Sequence, residues 1–208
     1  MDDALSEVDN AIGTLINGLK ERNIFDDINL VIVSDHGMAS VNSKHIIYAE
    51  DIFNLNLTHS IYFGPVSFIR TLSDDFIGEV YSRLEAYSFK YGTFKVYLRT
   101  TLPPEWNYGK NDRIAQIIVV CEPSYYFSSR TSTPPPVGDH GYPLPNKDME
   151  AIFIAHGSRI RKRNEMGTNT LDPFLCLDLF PFLCKLMDFT PPLNNGTSYL
   201  IDTLMISA

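Results

Sequence analysis

Leu5, Val8, Ile12, Leu15 and Leu19 recur at three- and four-residue intervals, which places them on one stripe of a helix. Asp2, Asp3 and Glu7 sit where the positive end of a helix dipole favours carboxylates, so the pattern predicts a helix over 3–21. After the polar stretch 23–27 the period changes. Asn29-Leu-Val-Ile-Val-Ser34 is a short, unbroken, β-branched run, which predicts a strand buried on both faces. It leads directly into Asp35-His36-Gly37. A helix followed by such a strand points to a layered α/β arrangement in which ligands gather at the carboxyl ends of parallel strands, where Asp35 and His36 would lie.

Further along, Ser73-Asp-Asp is suited to cap a helix bearing Phe76, Val80 and Leu84, and the runs 117–120 and 151–155 predict more strands. The Ser-, Thr- and Pro-rich stretch 128–136 predicts an exposed extended loop. Asp172-Pro173 is a favourable helix start, followed by an apolar zone to Met187 in which Pro181 must kink a helix or begin a new one. A turn over 190–196 closes that unit. The expected class is therefore α/β, with a mostly parallel or mixed central sheet flanked by helices. With no internal repeat and no linker, residues 1–208 are expected to belong to a single domain.

Composition narrows the function. A net charge of −8 argues against duplex nucleic acid as a partner, because phosphate binding needs a clustered basic surface. The one basic run, Arg159-Ile-Arg-Lys-Arg163, reads as a solvated face. The longest apolar zone is broken by Asp178, Pro181 and Lys185, so no transmembrane segment is expected, and the start of the chain lacks the pattern of a signal peptide. Cys121, Cys176 and Cys184 cannot all pair and form no CxxC spacing. Asn56-Leu-Thr58 and Asn195-Gly-Thr197 are glycosylation triplets, relevant only in a secretory setting.

Two tripeptides carry the same chemistry: Asp35-His36-Gly37 and Asp139-His140-Gly141. A carboxylate beside an imidazole offers oxygen and nitrogen donors to a divalent metal, zinc above all, and the glycine lets the backbone turn close by. A single Asp-His-Gly is more often a turn whose aspartate bonds its own backbone; two copies favour a metal site. His45, His59 and His156 lack such company and read as surface or packing residues. Hydroxyls at Thr131, Ser132 and Thr133 are discounted as nucleophiles, because a proline-rich loop holds attack geometry poorly. Tyr62, Phe63 and Tyr142 could stack on a base, although core packing and surface loops are commoner homes for aromatics.

The run Asn29 to Met38, then Ile61-Tyr-Phe-Gly-Pro65, Asn111-Asp-Arg-Ile114, Gly138-Asp-His-Gly-Tyr142, Met149-Glu-Ala-Ile-Phe153, Phe180-Pro-Phe-Leu-Cys184 and Pro192-Leu-Asn-Asn-Gly-Thr197, resembles the nucleotide pyrophosphatase/phosphodiesterase family in order and content. The resemblance covers nearly the whole chain and corresponds to the carboxyl-terminal half of the family's catalytic domain. It implies an alkaline-phosphatase-like fold, incomplete at the N-terminal side, and hydrolysis of phosphodiester or pyrophosphate bonds in nucleotides with two Zn2+ ions. By motif, Asp35 and His36 resemble ligands of the zinc that activates the nucleophile, and His140 a ligand of the other. The family's threonine nucleophile and its remaining ligands are expected upstream of Met1, so a partner or upstream segment would complete the site.

Pro143-Leu144 stands where the family usually has Asp-Asn, which affects bonding around the ligands, and Ser158 replaces a proline. The resemblance also implies an extracellular or membrane-tethered glycoprotein. Two rival expectations remain: a non-catalytic binding module, and a phosphomonoesterase, phosphomutase or sulfatase relative of the same superfamily.

Overall fold

Local pattern and tertiary pairing together give the order of elements in a computed structural model, which describes residues 2–162 and 170–206. The helices are α1 (Asp2–Glu21), α2 (Ile77–Tyr91), α3 (Leu179–Leu186) and α4 (Tyr199–Leu204). The strands are β1 (Asn29–Val33), β2 (Ala39–Ser40), β3 (Ile46–Tyr48), β4 (Thr58–Tyr62), β5 (Val66–Thr71), β6 (Phe94–Leu98), β7 (Ile117–Cys121), β8 (Tyr126–Ser128), β9 (Gly138–Asp139) and β10 (Phe153–Gly157). The chain divides into two units, Met1–Val33 with Phe153–Ala208, and Ser34–Ile152. The class is mixed α/β, and pairing is mixed as well: β3 and β8 are parallel, the other described pairs antiparallel.

In the first unit, α1 forms as the periodicity predicts, but Leu5, Val8 and Leu15 remain 50–63% exposed. Among the described residues β1 pairs only with β10, in register from Asn29↔Gly157 to Val33↔Phe153. That corrects the expectation of a strand buried on both faces. In a two-stranded ribbon each strand is an edge, and no residue of β1 is fully buried. Val31, Phe153 and Ala155 pack onto a core of Ile160, Phe182, Leu186, Leu200, Leu204 and Met205.

No helix starts at Asp172-Pro173. Residues 171–175 are irregular, which lets Phe174 reach Phe153 edge-on with ring centroids 5.1 Å apart, and α3 begins only at Leu179. Pro181 lies in the first turn of α3, where a missing N–H costs nothing. The buried Asp178 carboxylate accepts from the Thr197 N–H (2.7 Å) and hydroxyl (2.9 Å), tying the preceding turn to the start of α3. Of the basic run, Arg163 lies outside the described residues. Arg159 donates to the Leu186 carbonyl and to Asp188, and Arg161 to the Thr203 carbonyl, so these cations hold the unit's own backbone.

The second unit is built on a four-stranded antiparallel sheet in the order β4-β5-β7-β6. β7 is buried at every position because both of its faces are covered. One face contributes Ile117, Val119 and Cys121 to a core shared with Phe94, Phe127 and the α2 residues Val80 and Leu84; the other packs Ile118 and Val120 against Leu102. Ser73 accepts from the Asp75 N–H and so caps a short turn, Asp74–Phe76, that leads into α2, and α2 stops at Gly92, whose φ of 64° is left-handed.

The exposed stretch expected over 128–136 starts only at Arg130. Ser128 ends β8, and Ser128 and Ser129 are buried. Their burial is tolerated because both hydroxyls are bonded, Ser129 to Glu50 and Ser128 to Ser132, while Arg130 grips Asp51 through two 2.8 Å contacts.

Phe127 is fully buried and Phe89 is 94% exposed. Phe127→Ala is expected to cost about 3–5 kcal/mol in urea unfolding, against about 0.5 kcal/mol or less for Phe89→Ala. Burial pushes the Cys121 thiol up to about 12, whereas Cys176 is exposed. Under native conditions at mild alkaline pH, a thiol reagent is expected to modify Cys176 and to leave Cys121 untouched until the protein unfolds.

Candidate metal centre

Asp35-His36-Gly37 and Asp139-His140-Gly141 are far apart in sequence, and a short ladder joins them. β2 follows Gly37 almost at once and pairs antiparallel with β9, Ala39 opposite Asp139 and Ser40 opposite Gly138. Met149 adds a second tie: its carbonyl accepts from the Gly37 N–H at 3.1 Å, and its Sδ lies 3.3 Å from the Gly141 nitrogen. Ser34 and Ile152 close the same segment through Ser34 N to the Ile152 carbonyl (3.2 Å) and Ile152 N to the Ser34 hydroxyl (2.9 Å). As a result the imidazoles of His36 and His140 stack, centroids 3.7 Å apart and planes 17° from parallel.

Each aspartate makes the local bond expected of a turn. Asp35 Oδ1 accepts from the His36 N–H at 3.0 Å, and Asp139 Oδ1 from the His140 N–H at 2.8 Å. Beyond that the copies differ. The Asp35 side chain is 85% exposed, with Oδ2 lying 3.3 Å from His36 Nε2. The Asp139 side chain is 24% exposed, 3.9 Å from His140 Nε2, and it faces Tyr126. Burial raises the Tyr126 phenol above its ordinary value, and the neighbouring Asp139 carboxylate raises it further.

His36 Nδ1 lies 2.7 Å from the Gly37 carbonyl. A carbonyl only accepts, so Nδ1 donates to it and Nε2, 3.3 Å from the Asp35 carboxylate, is the nitrogen able to coordinate a cation. A cation bound at Nε2 would lie beside that carboxylate. The same backbone bond orients metal-ligating histidines generally. Donor chemistry and tautomer therefore fit zinc at Asp35, His36 and His140. Among the described residues, no three His, Cys, Asp or Glu side chains converge on one point, so these donors make up partial sets.

The other histidines are packing or surface residues. His45 stacks on Tyr125 and bonds Ser124, His156 stacks on Phe25, and His59 is exposed. Tyr142 is buried, its hydroxyl donating to the Tyr125 carbonyl, and Phe63 packs on Phe127. Tyr62 is 68% exposed. Met149 and Tyr126 stand outside the Asp-His-Gly pattern, and Met149 is marked in the sequence only as part of Met149-Glu-Ala-Ile-Phe153.

The two glycines do different work. A Cβ on Gly37 would sit 2.0 Å from the Asp148 carbonyl oxygen, whereas Gly141 has room but a φ of +102°. Gly37→Ala is expected to cost about 2–3 kcal/mol or more, because backbone must move, and Gly141→Ala about 1–2 kcal/mol from strain alone. Thermal unfolding of both variants checks the order.

The sequence model of the type I phosphodiesterase/nucleotide pyrophosphatase family matches residues 1–143. Mouse ectonucleotide pyrophosphatase/phosphodiesterase family member 3 is 33% identical over 97% of this chain and 23% of its own length; human family member 5 is 31% identical over 100% and 42%. The solved structure of human member 5 superposes with a TM-score of 0.86 at 30% identity, over 97% of this chain and 52% of that one. A structure of an inactive variant of murine member 5 in complex with AMP gives 0.84 at 29% identity, over 96% and 51%. The chain thus spans about half of the solved relatives and less of the curated ones. Its fold is alkaline-phosphatase-like, and the chain belongs to the type I phosphodiesterase/nucleotide pyrophosphatase family.

Proposed function

We propose that residues 1–208 form the carboxyl-terminal part of a single catalytic domain that hydrolyses phosphodiester or pyrophosphate bonds in nucleotides, with Asp35, His36 and His140 as zinc ligands. The observation that carries this reading is the stacked pair His36–His140 beside Asp35, with His36 Nδ1 bonded to the Gly37 carbonyl and Nε2 3.3 Å from the Asp35 carboxylate. Family membership and the AMP complex of the murine relative support a nucleotide substrate.

Zinc bound there supplies positive charge that offsets the charge developing on phosphoryl oxygens. The chain's own residues do the rest. Gly37 fixes the His36 tautomer through its carbonyl, and Asp139, turned toward Tyr126 and the His140 backbone, holds the second tripeptide in place. Localised metal charge would also let an acidic chain handle an anionic substrate. A segment or partner supplying the threonine nucleophile and the further ligands completes the domain. The names of the relatives support an extracellular or membrane-tethered setting, in which Asn56 and Asn195, both exposed, would be open to glycosylation. No helix among the described residues is long and apolar enough to cross a membrane.

The test joins this chain to the upstream half of the human member 5 domain and measures hydrolysis of a chromogenic phosphodiester, a monoester and a sulfate ester with added zinc. Chelator-sensitive turnover of the diester is expected, with Asp35→Ala, His36→Ala and His140→Ala each lowering kcat/KM by about 100-fold or more while the Tm changes little. Turnover unchanged in all three variants would overturn the ligand assignment. Faster monoester or sulfate turnover would overturn the substrate class, and an inactive, well-folded chimera would favour a binding module.

A further inference from the structure

The β4–β5 hairpin divides its side chains between two faces. Ser67, Ile69 and Thr71 are buried, so Phe68 and Arg70 point the other way, and the register sets Tyr62 opposite Phe68 and Ser60 opposite Arg70. Over β7 this outer face is covered, Ile118 and Val120 packing with Leu102, Tyr97 and Ile114. The cover stops short of β4, which is an edge strand.

The end of the cover is tied down from two sides. Arg99 pairs with Asp112 at 3.0 Å and donates to the Ile114 carbonyl at 3.3 Å, while Arg70 donates to the Arg113 carbonyl. Between that segment and β4 lies an open cavity of about 440 Å³. Three rings line it, Tyr62–Phe68 with centroids 6.1 Å apart and Phe68–Tyr108 6.4 Å apart, and Arg70 and Arg113 complete the wall. Tyr62 is 68% and Tyr108 46% exposed, which leaves ring surface free.

The charge here runs against that of the whole. In a chain of net charge −8, among the described residues no carboxylate lines this cavity and neither Arg70 nor Arg113 has a carboxylate partner. Ring faces bind flat aromatic groups, and guanidinium forks bind phosphate or carboxylate in two-pronged fashion. We propose that this groove is a second binding site, for a flat aromatic group bearing an anion, of which a nucleoside monophosphate is the fitting class. Tyr62 and Tyr108 flank the ring, and Arg113, with Arg70 behind it, takes the anion. None of its lining residues belongs to the Asp35–His36–His140 centre, and occupancy needs no metal.

The probe is AMP, titrated calorimetrically into the 208-residue chain in the presence of a chelator, with adenosine and inorganic phosphate as half-ligands. Saturable binding of one AMP is expected, with each half-ligand binding about tenfold more weakly. Tyr62→Ala and Arg113→Ala, both at exposed positions, should each weaken AMP by about fivefold or more, and Arg113→Ala keeps the carbonyl that Arg70 needs. His36→Ala should leave AMP binding within about twofold. No saturation by about 10 mM AMP overturns the proposal. So does unaltered affinity in both groove variants, or loss of binding in His36→Ala, which would place AMP at the other centre.

Discussion

Two backbone pairs, Ala39 with Asp139 and Ser40 with Gly138, hold the candidate centre together. Without that ladder the tripeptides would be separate turns, each aspartate bonded to its own backbone and each histidine facing solvent. With it, His36 and His140 are stacked ring on ring. So short a ladder is not stable alone. Met149 reinforces it, bonding Gly37 through its carbonyl and touching Gly141 through its sulfur, while its side chain is itself buried in the main core of the second unit. The site thus inherits its rigidity from packing around Phe127 and β7, not from the loops that carry it.

The close approach at Gly37 explains why both tripeptides end in glycine for unlike reasons. At Gly37 the neighbouring backbone of Asp148 leaves no room for a Cβ, and at Gly141 the chain takes a φ that side chains disfavour. A tight turn beside a metal was expected of both glycines; the turn accounts for Gly141, whereas at Gly37 crowding by backbone is sufficient cause. Likewise Asp35 and Asp139 look equivalent in sequence, yet one is open to solvent and the other is turned toward Tyr126. That difference is tertiary, and no local pattern encodes it.

Periodicity located α1, α2 and β7 because each is governed by a single amphipathic stripe or a continuous apolar run. It misjudged the burial of β1, since the same apolar run is compatible with a covered central strand or a two-stranded ribbon, and only the partner decides. The helix start at Asp172-Pro173 failed for a related reason: residues 171–175 are irregular and Phe174 meets Phe153 edge-on, a contact between distant positions that no local pattern encodes. The buried Ser128 and Ser129 look like loop residues until Glu50 and Ser132 are seen to satisfy them. The two tripeptides were legible as chemistry. Their juxtaposition was not, because it rests on pairing between distant segments.

The proposed zinc chemistry requires that one short ladder hold Asp35, His36 and His140 together as ligands. It is tested most directly by following the imidazole nitrogens of all five histidines by NMR while zinc is added to the 208-residue chain. The account predicts that His36 and His140 shift together along one titration curve, His36 through Nε2 with Nδ1 still protonated, while His45, His59 and His156 stay in place. Zinc that perturbs His36 or His140 alone, that first engages His59, or that leaves both stacked rings unchanged would contradict it.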